Sequence, residues 1–225
     1  MERFGLAPEA TAAIERLLGL LEHDETAPTT VRARPEALDT HVADSLSGLE
    51  LGAVRDARRI ADIGAGAGFP GLVLAAVLPD AHVALVESVG RKTAWLDRAI
   101  AAMGLRNATA VTARAEAWPV GIGAHDLVTA RALAPLNVLV EYAAPLLAEG
   151  GALVAWKGRR DEREEADGAA AAGALGLELR EVLRVQPFPA ARDRHLHLYL
   201  KVRPTPNRYP RRPGMASKRP LRASA

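Results

Sequence analysis

Between Ile60 and Gly71 an apolar run ends on an acid, Asp62, and three glycines follow at alternate positions, Gly64, Gly66 and Gly68, before a new apolar stretch opens at Pro70. Few architectures accommodate that order. A short apolar run closed by glycines reads as a strand buried in a parallel sheet. Glycine lets the following turn take positive φ and lets a ligand approach the backbone with no Cβ in the way. The apolar stretch after it reads as a helix, whose first N–H groups lack intrahelical partners and whose dipole is positive at that end. Proline suits the first helical position, so Pro70 is expected to start the helix.

The remainder of the chain keeps that alternation. Strands are expected at 58–63, 82–86, 108–112, 126–130, 151–156, 179–185 and 196–202, with helices near 70–78, 90–103, 135–147 and 160–174. Strands alternating with helices imply a parallel sheet covered on both faces. The last two strands have no helix of useful length between them and are expected to pair as an antiparallel hairpin. Seven strands ending in such a hairpin fit the Rossmann-like sheet of the class I S-adenosylmethionine-dependent methyltransferases better than a nicotinamide-binding sheet. Ahead of the sheet, Ile14, Leu17, Leu18 and Leu21 fall at helical spacing within 9–22, and Pro35-Glu36 opens a second helix through about Leu49. The expected organisation is an N-terminal helical cap over 1–52, a methyltransferase domain over 53–203 and a basic arm over 204–225. The acidic, alanine-rich stretch 161–174 reads as a surface helix.

With 225 residues the chain suffices for one α/β domain with small additions. It has no apolar run of about 18 residues and no basic-then-apolar leader, so neither a membrane span nor a secretion signal is expected. The absence of cysteine excludes disulfides and thiolate metal sites and suits the cytoplasm. Net charge is only +2, but seven basic residues and no acid lie between Arg203 and Ala225, which leaves the body acidic. A basic tail on an acidic body suggests a polyanionic partner. The alternative is a solvated tail without function, against which stand Tyr209 and the prolines that interrupt it.

In open α/β sheets the ligand sits beyond the carboxyl ends of the strands where strand order reverses. The glycines after strand one, Glu87 at the end of strand two, Ala115 and Glu116 after strand three and Arg131 after strand four are expected to converge there. Glu87 follows Gly64 by 23 residues, the place of a carboxylate that accepts from two ribose hydroxyls. The bland reading is a surface acid at a strand end. Two ligands remain open. Gly66, Gly68 and Gly71 satisfy the literal dinucleotide pattern G-x-G-x-x-G. Asp62 speaks for D-x-G-x-G-x-G instead, in which the acid lies close to the cationic methionyl end of S-adenosylmethionine and would repel a pyrophosphate.

Across most of its length the chain resembles the RsmG (GidB) family of bacterial 16S rRNA guanine-N7 methyltransferases. The matching elements are His41-x-x-Asp44-Ser45-Leu46, DIGAGAGFPG at 62–71, Glu87-Ser88 with Arg91-Lys92, Arg114-Ala115-Glu116 and Arg131-Ala132-x-Ala134-Pro135-Leu136. Lys157-Gly158, Arg194-His195-Leu196 and PRRPGMASKRPL at 210–221 complete the set. The resemblance implies S-adenosylmethionine as methyl donor. It places Asp62, Gly64, Gly66, Gly68 and Phe69 in the loop that holds it, Glu87 and Ser88 at the ribose, Ala115 and Glu116 on the adenine side and Arg131 at the active-site rim, positioning the reactants. It implies a guanine of the 530 loop of small-subunit rRNA as substrate. Arg91, Lys92, Lys157, Arg208, Arg211, Arg212 and Lys218 are the expected RNA contacts, since such groups bind phosphates and guanidinium planes stack on bases. Two departures stand out. The Trp-Asn and Asn-Leu-Thr patterns of the family are replaced by EHDETAPTTV at 22–31, which keeps only Thr30, and Ala216 replaces a frequent proline, which is expected to loosen the arm.

The chemistry implied needs no general base. Guanine N7 carries a free lone pair and can take a methyl group with no proton to remove, so alignment is the main task. No serine, histidine and aspartate triad is apparent, and no metal cluster. Attack through pyrimidine C5 normally uses a cysteine, of which there is none. Amino-group methylation usually uses an Asn/Asp-Pro-Pro-aromatic element after strand four, where this chain has Thr129-Ala130-Arg131-Ala132. His41 and Asp44 share a helix face and suit either a bond between cap and sheet or an RNA contact. His195 and His197 read as plain strand residues. The expected molecule is a monomer without metal. The competing readings are an NAD-dependent oxidoreductase and an RNA-binding assembly protein without turnover.

Overall fold

A computed structural model describes residues 4–223; the extreme ends of the expected cap and arm, 1–3 and 224–225, lie outside the described residues. In chain order, α1 spans Pro8–His23, α2 Arg34–Ala37, α3 Asp44–Leu46 and α4 Gly52–Arg55, before β1 at Arg59–Ile63. Then come α5 Gly71–Val77, β2 His82–Glu87, α6 Gly90–Met103, β3 Ala108–Thr112, β4 His125–Arg131, α7 Leu136–Ala143 and β5 Leu147–Lys157. The chain closes with α8 Glu162–Leu175, β6 Leu177–Val185, β7 Arg194–Lys201 and a one-turn α9 at Met215–Lys218.

The seven strands form one sheet in the order β3-β2-β1-β4-β5-β7-β6. From β1 the chain moves outward through β2 to β3, then returns to place β4 on the other side of β1. Strand order therefore reverses between β1 and β4, which pair in parallel with Ile60 opposite Leu127. The last two strands pair antiparallel, Val185 opposite Arg194, and β7 pairs antiparallel with β5. Period-two alternation sorts β1 between two cores: Ile60 faces one apolar cluster, Ala61 and Ile63 the other. Helices α1, α5 and α6 cover the first face, with Ile14, Leu17, Leu18 and Leu21 of α1 fully buried beside Leu72, Leu74 and Trp95. Each such side chain contributes about 1.5–3 kcal/mol by leaving water. Helices α7 and α8 cover the second face around Leu139, Leu153, Leu175 and Tyr199.

Four boundaries differ from the sequence expectation, each for a local reason. The helix expected from Pro35 to Leu49 is broken into α2, a π turn over Leu38–Ala43, α3 and a 3-10 turn over Ser47–Glu50. Arg131 takes the carbonyl of Thr40 at 2.9 Å, and the hydroxyls of Ser45 and Ser47 donate back to the carbonyls of His41 and Asp44. Side chains inserted into the ladder displace regular i→i+4 pairing. The helix expected through residue 147 stops at Ala143 because Pro145 cannot continue it. The strand expected from 151 begins at Leu147, irregularly, with a register shift between His125 and Leu127 and Gly150 at φ +81°. Finally α5 begins at Gly71, with Pro70 as the residue before it rather than its first.

Candidate active site at the strand-order reversal

The loop after β1 has one acid and three functions for its glycines. Asp62 is 1% exposed. Its carboxylate accepts from the Gly71 N–H at 3.0 Å and the Thr129 hydroxyl at 2.9 Å, which ties β1 to α5 and β4. Burial raises its carboxyl to about 6, against the pull of those two donors. A Cβ on Gly71 would meet that carboxylate at 2.7 Å, so the glycine is required by the acid. Asp62 thus does not line the cleft that the loop opens on, contrary to the expectation that it faces the ligand. Gly68 does not either: at φ +100° it lets the turn settle on Leu72, which a Cβ would strike at 2.2 Å. Gly64 and Gly66, at φ +66° and +56°, are the two that face the cleft.

The cleft measures about 470 Å³ and is bounded by the first turn, the end of β2 and the segments after β3 and β4. It brings together Gly64, Gly66, Phe69, Glu87, Ser88, Ala115, Glu116 and Arg131 of the residues read from sequence, and adds Lys92. Glu87 is buried at the wall. Its oxygens accept from the Gly66 N–H at 3.2 Å and the Val89 N–H at 2.9 Å, and Lys92 Nζ stands 3.6 Å away. An ionised carboxylate has about four acceptor positions, so two remain for hydroxyls of a ligand. Glu116 accepts from the Gly214 N–H at 2.9 Å and Tyr142, also lining the cleft, meets the Ser217 hydroxyl at 3.1 Å. The arm therefore buttresses the cleft wall.

Sequence reading missed Leu133, Tyr142, Thr29 and the role of His41, all of which line the cleft. The threonine at the site is Thr29, not Thr30. Arg131 leaves β4 and donates to Asp44 Oδ2 at 2.8 Å, to the Thr40 carbonyl at 2.9 Å and to His41 Nδ1 at 3.2 Å. A guanidinium only donates, so Nδ1 accepts and Nε2 carries the proton toward the Thr29 hydroxyl at 3.0 Å. Burial, helped by the Arg131 charge, lowers the imidazole to about 4 and keeps it neutral near pH 7. Its ring stacks on Phe69 at 4.4 Å, and the Arg131 guanidinium lies 5.4 Å from the same ring. The next residue, Ala132, holds φ +53°, a strained value for a non-glycine residue beside a site. The cap-to-sheet bond is thus realised by His41 and Asp44 through Arg131, not between one another.

The expected RNA contacts divide. Arg91 is exposed beside α1's end, and Arg208, Arg212 and Lys218 are exposed on the arm. Lys157 lines a second cavity and is paired with Glu164 at 2.6 Å. Arg211 is not open to a phosphate: it forms a two-pronged pair with Glu141, itself 3% exposed, and also donates to the Arg219 carbonyl. Contrary to the expected loosening, Ala216 is buried and the arm is docked, with the Asn137 amide donating to the Leu221 carbonyl at 2.6 Å. Among the described residues no cluster of three His, Cys, Asp or Glu could hold a metal, and no helix is long and apolar enough to cross a membrane.

The sheet order with its terminal hairpin, the glycine turn and the acid ending β2 define a class I S-adenosylmethionine-dependent methyltransferase. A methyltransferase of this kind from Aquifex aeolicus superposes with a TM-score of 0.59 at 15% identity, over 75% of this chain and 94% of that one. Fibrillarin from Aeropyrum pernix, solved with natively bound S-adenosylmethionine, gives 0.54 at 22% identity over 70% of this chain and 73% of that one. The family model described as rRNA small subunit methyltransferase G matches residues 17–196, and the chain belongs to that family. Relatives include the ribosomal RNA small subunit methyltransferase G of Rubrobacter xylanophilus, 45% identical over 81% of this chain and 72% of the relative. That of Moorella thermoacetica is 38% identical over 96% and 92%.

Proposed function

We propose that this chain transfers the methyl group of S-adenosylmethionine to N7 of a guanine in the 530 loop of 16S rRNA, acting in the cytoplasm as a monomer and without a metal. The observation that carries the reading is the cleft at the β1–β4 reversal, with the Gly64–Gly66 turn on one side and the Glu87 carboxylate on the other. Its size suits a nucleoside-sized ligand. Gly66 has open space where a Cβ would stand, so a ligand can lie against its backbone. Glu87 would hold the ribose hydroxyls, Ser88 would stand beside them, and Ala115 with Glu116 would bound the adenine. When bound, S-adenosylmethionine supplies a sulfonium methyl group.

The chain's own residues supply alignment and a suitable field. Guanine N7 has its lone pair free, so no residue need take a proton. The base becomes cationic as it is methylated, and the rim is built against excess positive charge. His41 is neutral, and the Arg131 charge is matched by Asp44. Arg131 positions the rim by fixing His41 against Phe69. Arg91, Arg208, Arg212 and Lys218 present cations to RNA phosphates, while Arg211 pins the arm that carries three of them.

Tritiated S-adenosylmethionine with small ribosomal subunits lacking the modification tests the reading, with the product guanine mapped by mass. Label at N7 of a 530-loop guanine is the expected result. Cofactor binding with no transfer would favour a binding protein, and label on another base would overturn the substrate assignment.

A further inference from the structure

A second cavity of about 350 Å³ lies against the first and shares His41, Arg131 and Ala132 with it. Asp44 lines only this second cavity. Its carboxylate is buried, with the side chain 8% exposed, and its two oxygens are treated differently. Oδ2 is held by Arg131 at 2.8 Å. Oδ1 receives no hydrogen bond. A buried charged oxygen left without a donor is costly and calls for an explanation. Arg194 Nε stands 3.6 Å from it, too far for a hydrogen bond, on a side chain 39% exposed that has room to turn away. The rest of Asp44 is fixed: its carbonyl accepts from Trp156 Nε1 at 2.9 Å and from the Ser47 hydroxyl at 2.6 Å. The result is a rigid acceptor facing a cavity that adjoins the cofactor cleft.

We propose that this cavity receives the acceptor base and that Asp44 selects guanine by accepting hydrogen bonds from its ring N1–H and exocyclic N2 amino group. The inference deepens the proposed function and rests on it. Guanine carries those donors on its Watson–Crick edge, and N7 lies on the opposite edge of the purine. A base held by its donors at Asp44 therefore turns N7 back toward His41 and Arg131, the border with the cofactor cleft. Adenine would bring an acceptor nitrogen against the carboxylate and be repelled. The Watson–Crick edge is available only in an unpaired or extruded base, so the substrate is a loop nucleotide or one taken out of its stack. Arg194 and Lys157, on the same cavity wall, are placed to meet the nucleotide's phosphates.

The test uses the full chain and small subunits assembled around 16S rRNA with either guanosine or inosine at the acceptor position. Inosine keeps N7 and N1–H and lacks only the N2 amino group. For the unaltered enzyme kcat/KM is expected to fall about tenfold or more with inosine. In Asp44→Asn the guanosine rate falls and the guanosine-to-inosine ratio moves to near one, while calorimetric affinity for S-adenosylmethionine is retained. Equal rates on both substrates with the unaltered enzyme would overturn the role of Asp44 and leave the proposed function standing, whether or not the variant folds. No methylation of the guanosine subunits would take both down.

Discussion

Arg131 spends its guanidinium on acceptors of the N-terminal segment, and the consequence is chemical as well as structural. His41 is held as a neutral acceptor, its imidazole lowered to about 4. The unfolded chain takes up that proton near the ordinary value of 6.5, before the folded chain does. Stability from this group is therefore present above about pH 6.5 and is lost as pH falls toward 4. Between pH 7 and pH 5 the parent protein should lose about 2 kcal/mol more than His41→Gln in urea unfolding. Asp62 works in the opposite sense: with its carboxyl raised to about 6, it favours the fold increasingly as pH falls from there toward 4. Comparing parent with variant cancels that contribution. Equal pH profiles would remove the neutral-imidazole assignment. For Glu87, replacement by glutamine leaves the size and removes the charge that strengthens bonds to hydroxyls. Affinity for S-adenosylmethionine in isothermal titration should weaken about tenfold or more; unchanged affinity would refute the ribose role.

At the scale of elements, the arm is a docked strap. Tyr209 and Leu221 pack on the second core, Arg211 pairs with Glu141 of α7, and the Gly214 N–H reaches Glu116 at the cofactor cleft. Arg211→Ala leaves Glu141 buried without its cation, which should cost on the order of 3 kcal/mol. The same change should free the arm from Glu116. Limited trypsin digestion should then cut at Arg208 and Arg212 in the variant well before the parent, and cofactor affinity should fall with it. Slow cleavage in both would mean that the apolar contacts alone hold the arm. The π turn at Leu38–Ala43 is the second such device: it frees the Thr40 carbonyl for Arg131 and sets His41 over Phe69. Irregular backbone here is the means by which a cap helix reaches the site.

For the molecule as a whole, the N-terminal helices and the sheet share one apolar cluster, from Leu17 and Leu18 of α1 to Ile60, Leu72 and Trp95. A fragment beginning at residue 53 would expose that face, and we expect it to be insoluble or to lack a cooperative melting transition; a soluble, cooperatively melting fragment would show the cap to be dispensable. The alternation of apolar runs, glycines and prolines was sufficient to predict the seven strands, the two-sided sheet and the terminal hairpin. The position of a residue at a strand end also marked Gly64, Gly66, Glu87, Ala115, Glu116 and Arg131 as neighbours, because parallel strands deliver their carboxyl ends to one edge. Local sequence thus determined which elements form and which edge carries the site. It could not determine which way Asp62 points, that Arg211 turns inward, or that Arg131 meets Thr40, His41 and Asp44 from some 90 positions away. Those outcomes depend on which buried charges find partners once distant segments pack, and only the tertiary structure decided them, because a charge in the interior is tolerated only where another part of the chain arrives to satisfy it.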